Sequence, residues 1–79
     1  MRVHTINSKT VIWVYGNDHL PPHFHIVNPD FEALVSILTF EVIEGELAGS
    51  AGKLAMAWAK ENIEVIKAEW NRLHPKLAI

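Results

Sequence analysis

The chain has no cysteine, which excludes disulfides and thiolate metal sites and leaves the redox compartment undecided. It also lacks any run approaching the ~18 consecutive apolar residues of a membrane span. Its opening, Met1-Arg2-Val3-His4-Thr5, alternates polar and apolar instead of forming the apolar stretch of a secretory leader. The expectation is a cytoplasmic protein without membrane association. Lysine and arginine are missing between Asp18 and Glu46, where six acidic residues fall, whereas Lys53 to Lys76 carries five bases and three acids. With a net charge of −2, this asymmetry builds no basic patch, and the charge does not support nucleic acid as a partner. Internal repeats, linkers and low-complexity tracts are absent too.

What remains is the composition of an ordered domain: 79 residues, 49% hydrophobic and 20% charged. We read residues 1–79 as a single domain. A chain this short buries only about 60% of its unfolded surface, so support from a small partner protein or a second copy suits its size.

Periodicity gives the elements. Residues 2 to 6 read as a short strand, Asn7-Ser8-Lys9 as a turn, and Thr10 to Tyr15 as a β-branched and aromatic central strand covered on both faces. After Gly16-Asn17-Asp18 and a proline spacer, His23 to Val27 makes a third strand, closed by the turn Asn28-Pro29-Asp30. Phe31 to Leu38 alternates again, with Phe31, Ala33, Val35 and Ile37 opposite Glu32, Leu34, Ser36 and Leu38. Phe40 to Ile43 is a fifth strand or a continuation of the fourth, and Glu44-Gly45-Glu46 turns out of the sheet. A helix then starts between Ser50 and Lys53 and runs to about His74, where Pro75 stops it. Ala55, Ala59, Ile63, Ile66, Trp70 and Leu73 form its apolar stripe. By helical phase Trp70 belongs to the core and Trp58 to the flank. The fold class is α+β: an antiparallel meander of four or five strands with one long C-terminal helix packed across one face.

Chemistry concentrates between Asn17 and His25, where three of the five histidines and two of the four prolines fall within nine residues. Proline fixes φ and restrains the residue before it, so Leu20-Pro21-Pro22 is a stiff spacer between His19 and the strand. Alternation along that strand sends His23 and His25 to one face and Phe24 and Ile26 to the other.

The order Asp18-His19-Leu20-Pro21-Pro22-His23-Phe24-His25, followed by an acid-aliphatic strand, Glu44-Gly45-Glu46-Leu47 and a helix carrying Trp58 and Trp70, resembles a prokaryotic family known as domain of unknown function 4160. The likeness covers nearly the whole chain. It implies a small protein, often encoded beside another small family and sometimes labelled a toxin–antitoxin component or regulator. The family usually has a proline and an arginine-rich helix start after the glycine-leucine turn. This chain instead reads Leu47-Ala48-Gly49-Ser50-Ala51-Gly52, without the basic groups that would hold phosphate.

The histidine segment admits three readings. In the first, His19, His23 and His25 hold a divalent metal such as zinc, with Asp18 orienting one imidazole from behind. In the second, Asp18, His19, His23 and His25 work by metal-free acid–base catalysis, as in a ribonuclease-type toxin; one histidine takes the 2′-hydroxyl proton and another protonates the leaving oxygen. In the third, plainer reading, Asp18 caps its turn and the histidines bond backbone carbonyls or face a partner. His4 and His74 are isolated in sequence and receive no role. The reading carried forward is a binding or regulatory component of a two-protein module acting through Asp18 to His25, with a nuclease or metal hydrolase on the same histidines as the alternative.

Overall fold

The computed structural model describes residues 1–17 and 20–79. Five strands form one antiparallel sheet in sequence order: β1 (Arg2–Ile6), β2 (Thr10–Trp13), β3 (His23–Asn28), β4 (Phe31–Ser36) and β5 (Val42–Gly45). Two helices follow, α1 (Gly49–Glu61) and α2 (Ile63–Leu73), and a final 3₁₀ turn spans Pro75–Leu77. This is the expected α+β meander. Among the described residues no helix is long and apolar enough to cross a membrane.

Register decides which side chains meet. Ile12 faces Ile26, Ile26 faces Ala33, and Phe24 faces Val35, so these residues share the face that the helices cover. With Val14, Ile37, Ala55, Ala59, Ile66 and Trp70 they make the buried core. The apolar stripe expected of the helix is thus the one that packs, with Ile63 and Leu73 half-buried at its margins. The opposite face carries Trp13, His25 and Leu34, which pair across β2, β3 and β4.

Three local differences from the sequence reading have physical causes. The single long helix is broken at Asn62, whose side-chain Nδ2 donates to the Trp58 carbonyl at 2.9 Å while its backbone N–H is shared between Trp58 and Ala59. An asparagine amide that competes for helical carbonyls in this way ends one helix and lets another start. The fifth strand lies at Val42–Gly45 and not at Phe40 to Ile43, because Ser36 Oγ accepts the Leu38 and Thr39 N–H groups and winds residues 36–40 into a tight turn. Phe40 takes φ +65° there, and its ring reaches Phe24 at 5.9 Å. Finally, β2 is covered unevenly: Thr10, Ile12 and the following Val14 are buried, whereas Val11 and Trp13 on the other face are half-buried.

The candidate histidine site

Strand β3 begins at His23, directly after the two prolines. The Leu20–Pro21 peptide is cis, and the Pro22 carbonyl accepts the Ile37 N–H at 3.0 Å, which ties the spacer to the chain beyond β4. His23 and His25 leave the strand on the same side, as alternation requires, and their ring centroids lie 5.1 Å apart at a tilt of 58°. Both are nearly buried, at 6% and 7% exposure. Asp18 and His19, the other two candidates, lie outside the described residues.

Each described imidazole of the pair is anchored through Nδ1. His23 Nδ1 lies 2.8 Å from the Pro21 carbonyl, and His25 Nδ1 lies 3.4 Å from Glu32 Oε2. Carbonyl and carboxylate oxygens can only accept, so in both contacts Nδ1 carries the proton and donates it. In the neutral ring the lone pair then sits on Nε2. Anchoring one nitrogen to an oxygen so that the other keeps its lone pair is how proteins orient histidines for ligation and for proton transfer. Glu32 is half-exposed while the His25 side chain is not, so the carboxylate remains solvated at the mouth of the pair.

The rings form part of a longer run. Trp13 tilts against Tyr15 at 5.7 Å, and Tyr15 meets His25 edge-on at 4.4 Å. His23 then lies 5.8 Å from Trp70, which stacks on His74 at 3.8 Å. Aromatic contacts in these geometries contribute about 0.5–1.5 kcal/mol each beyond burial. The consequence is a ladder of rings from the sheet face opposite the core to the end of α2. Tyr15 is 36% exposed, and Leu20 beside the prolines is 53% exposed.

Sequence reasoning missed Glu32, Tyr15 and His74. Glu32 was accessible in principle, since the hairpin pairs Val27 with Glu32 and places His25 two residues further along the same face. His74 lies four residues after Trp70, a spacing that stacks side chains on a helix, but its approach to His23 through Trp70 depends on tertiary packing. The second isolated histidine also has a partner, because His4 stacks on Trp58 at 4.2 Å with the rings 3° from parallel.

Two buried ring nitrogens among the described residues lack a hydrogen-bond partner, Trp13 Nε1 and His74 Nε2. His74 Nδ1 donates to the Trp70 carbonyl at 3.0 Å, which also accepts the His74 backbone N–H at 2.8 Å. Replacing His74 with phenylalanine therefore leaves that carbonyl satisfied, keeps a ring on Trp70 and removes an orphaned acceptor. An orphan of this kind costs about 1–3 kcal/mol. His74→Phe is expected to raise stability by about 1 kcal/mol, read by urea denaturation; a loss of similar size would show that Nε2 is satisfied in solution.

Two imidazoles anchored through Nδ1, one of them backed by a carboxylate, are donor chemistry that suits zinc. Among the described residues no three of His, Asp and Glu are grouped to hold a metal ion, and the two remaining candidates, Asp18 and His19, lie outside them.

A family model described as a domain of unknown function (DUF4160) matches residues 10–71, a span that contains the whole histidine segment. Neither a curated protein nor a solved structure matches the chain.

Proposed function

On the premise that the chain belongs to the family of domain of unknown function 4160, we propose that it is a cytoplasmic binding and regulatory protein, one component of a two-protein, toxin–antitoxin-like module. It meets its small partner protein through β3 and the segment that precedes it. The observation that carries this reading is the ring ladder that sets exposed Tyr15 against His25, together with exposed Leu20 in the segment before β3. Rigid aromatic side chains give large contact area for little lost conformational freedom, which is why tyrosine and tryptophan concentrate at the centres of interfaces. A buried, stiffly backed histidine pair beneath such a surface serves as its support.

The test is co-expression with the product of the adjoining gene, followed by size-exclusion chromatography. The two chains are expected to elute together, and Tyr15→Ala or Leu20→Glu should weaken the complex at least about tenfold, the effect of losing about 1.4 kcal/mol of contact. Separate elution of the wild-type chains would contradict the proposal.

A second reading is favoured by one specific observation, the Nδ1 anchoring of both imidazoles. On that reading His19, His23 and His25 hold a divalent metal, or act with Asp18 as acid and base in a ribonuclease or hydrolase. If a metal is held, the purified chain carries near-stoichiometric zinc, and His23→Ala removes it while the fold persists. Glu32→Gln weakens zinc binding by about 10- to 100-fold, the usual effect of altering a partner that orients a ligand. If the pair is a nuclease, expression degrades cellular RNA, and His25→Ala abolishes that effect.

A further inference from the structure

The two edges of the sheet differ in kind. At β5 the pairing with β4 is interrupted by an irregularity at Leu34/Val35, Gly45 has φ +75°, and Glu41, Glu44 and Glu46 line the strand and its flanks. Bulges and charge are the usual protection of an edge against further pairing. At β1 the irregularity lies only at the start, between Arg2 and His4. From Val3 to Ile6 that strand contains neither proline nor a Lys, Arg, Asp or Glu. Alternate peptide groups of β1 point away from β2, with no strand on that side among the described residues.

Beside this edge lies a groove of about 420 Å³, formed by His4, Thr5, Ile6 and Asn7 of β1 and its turn and by Leu54, Ala57, Trp58 and Glu61 of α1. The helix residues recur at three, four and seven positions from Leu54, so they occupy one face. Leu54 is 49% exposed, and Ala57, three residues on, is exposed as well. The stacked pair of His4 and Trp58 joins the strand to the helix across the groove floor.

We propose that this groove receives an extended, basic segment of a partner protein as a sixth strand added to β1. The unpaired peptide groups supply main-chain hydrogen bonds, the standard source of affinity when a strand is added to a sheet edge. Alternate side chains of the incoming strand fall on the helix side, where an apolar or aromatic one covers Leu54 and Ala57. A lysine or arginine meets Glu61, the charged residue of the lining. Leu54 and Glu61 are about 10 Å apart along α1 at 1.5 Å per residue, so the apolar and basic side chains stand two to four residues apart in the strand. The proposal uses no residue of the histidine cluster, so it stands or falls separately from the function proposed above.

The experiment titrates the ¹⁵N-labelled full chain with a synthetic pool of octapeptides that carry a valine or phenylalanine and a lysine or arginine two or four residues apart, on one face of the strand, among threonines, up to about 1 mM, the weak end of specific binding. Expected are saturable shifts confined to residues 3–7 and 54–61. They should disappear when alternate amides of the pool are N-methylated. Glu61→Lys, a change at an exposed residue, should weaken the basic pool about tenfold and let a glutamate-containing pool bind instead. Absence of saturation, shifts centred elsewhere, equal binding of the N-methylated pool, or indifference to Glu61→Lys would each overturn the proposal.

Discussion

Trp70→Ala is expected to remove about 3–5 kcal/mol of stability, the range for deleting a fully buried large aromatic side chain. A chain of 79 residues has only about 4–12 kcal/mol in total. Trp70 is completely buried, lies between His23 and His74, and donates its indole N–H to the Leu77 carbonyl at 3.1 Å. Its removal therefore opens a core cavity, releases the C-terminal turn and takes the backing from the histidine pair together. Thermal unfolding should fall by on the order of 20 °C. Trp70→Phe, which keeps a ring but loses the hydrogen bond, should cost clearly less. If the two variants were equally destabilised, the hydrogen bond to Leu77 would outweigh the packing, contrary to this account.

The second large effect belongs to Gly45 at the end of β5. Gly45 has φ +75°, and a Cβ added there would lie 2.1 Å from the Glu32 carbonyl oxygen and 3.2 Å from the Ala33 Cα. Backbone cannot yield as a side chain does, so Gly45→Ala combines a disfavoured conformation with a forced shift of β4. The expected cost is about 2–4 kcal/mol. Because the displaced residue is Glu32, the Nδ1 partner of His25, the same substitution should also move the His25 ring resonances. Denaturation and histidine NMR on one sample check both parts. A cost below about 0.5 kcal/mol, ordinary for a harmless surface change, would mean that the close approach at Gly45 is not maintained in solution.

Much of the architecture was legible in the residues. The alternation from Phe31 onward, the turn at Asn28-Pro29-Asp30 and the apolar stripe ending at Trp70 are signals of period and punctuation, and they determine strand order and the covered face. The break at Asn62 was not legible, because the apolar stripe runs through it undisturbed from Ala59 to Ile63. Only the side-chain bond back to Trp58 distinguishes that asparagine from one on a solvated helix face. The position of β5 escaped for a related reason: Phe40 is a poor candidate for positive φ, and its conformation follows from Ser36 and the contact with Phe24.

At the site, alternation correctly placed His23 and His25 on one side, but it could not show what anchors their rings. A carbonyl two residues back and a carboxylate across a hairpin are invisible to periodicity. His74 was set aside because isolation in sequence says little about isolation in space. The plainer reading, in which the histidines of the segment bond backbone carbonyls, fits the contact of His23 with Pro21, whereas His25 is held by a side-chain acid. That difference makes Glu32 the residue whose replacement reports on the anchoring of His25 and not on that of His23.

Nitrogen NMR of the imidazole rings of the full chain tests this arrangement most directly. The neutral rings of His23 and His25 should both show the proton on Nδ1 and the lone pair on Nε2, with Glu32→Gln disturbing His25 alone. A proton on Nε2 of either ring would contradict it, because the anchoring bonds to Pro21 and Glu32 would then not exist as described.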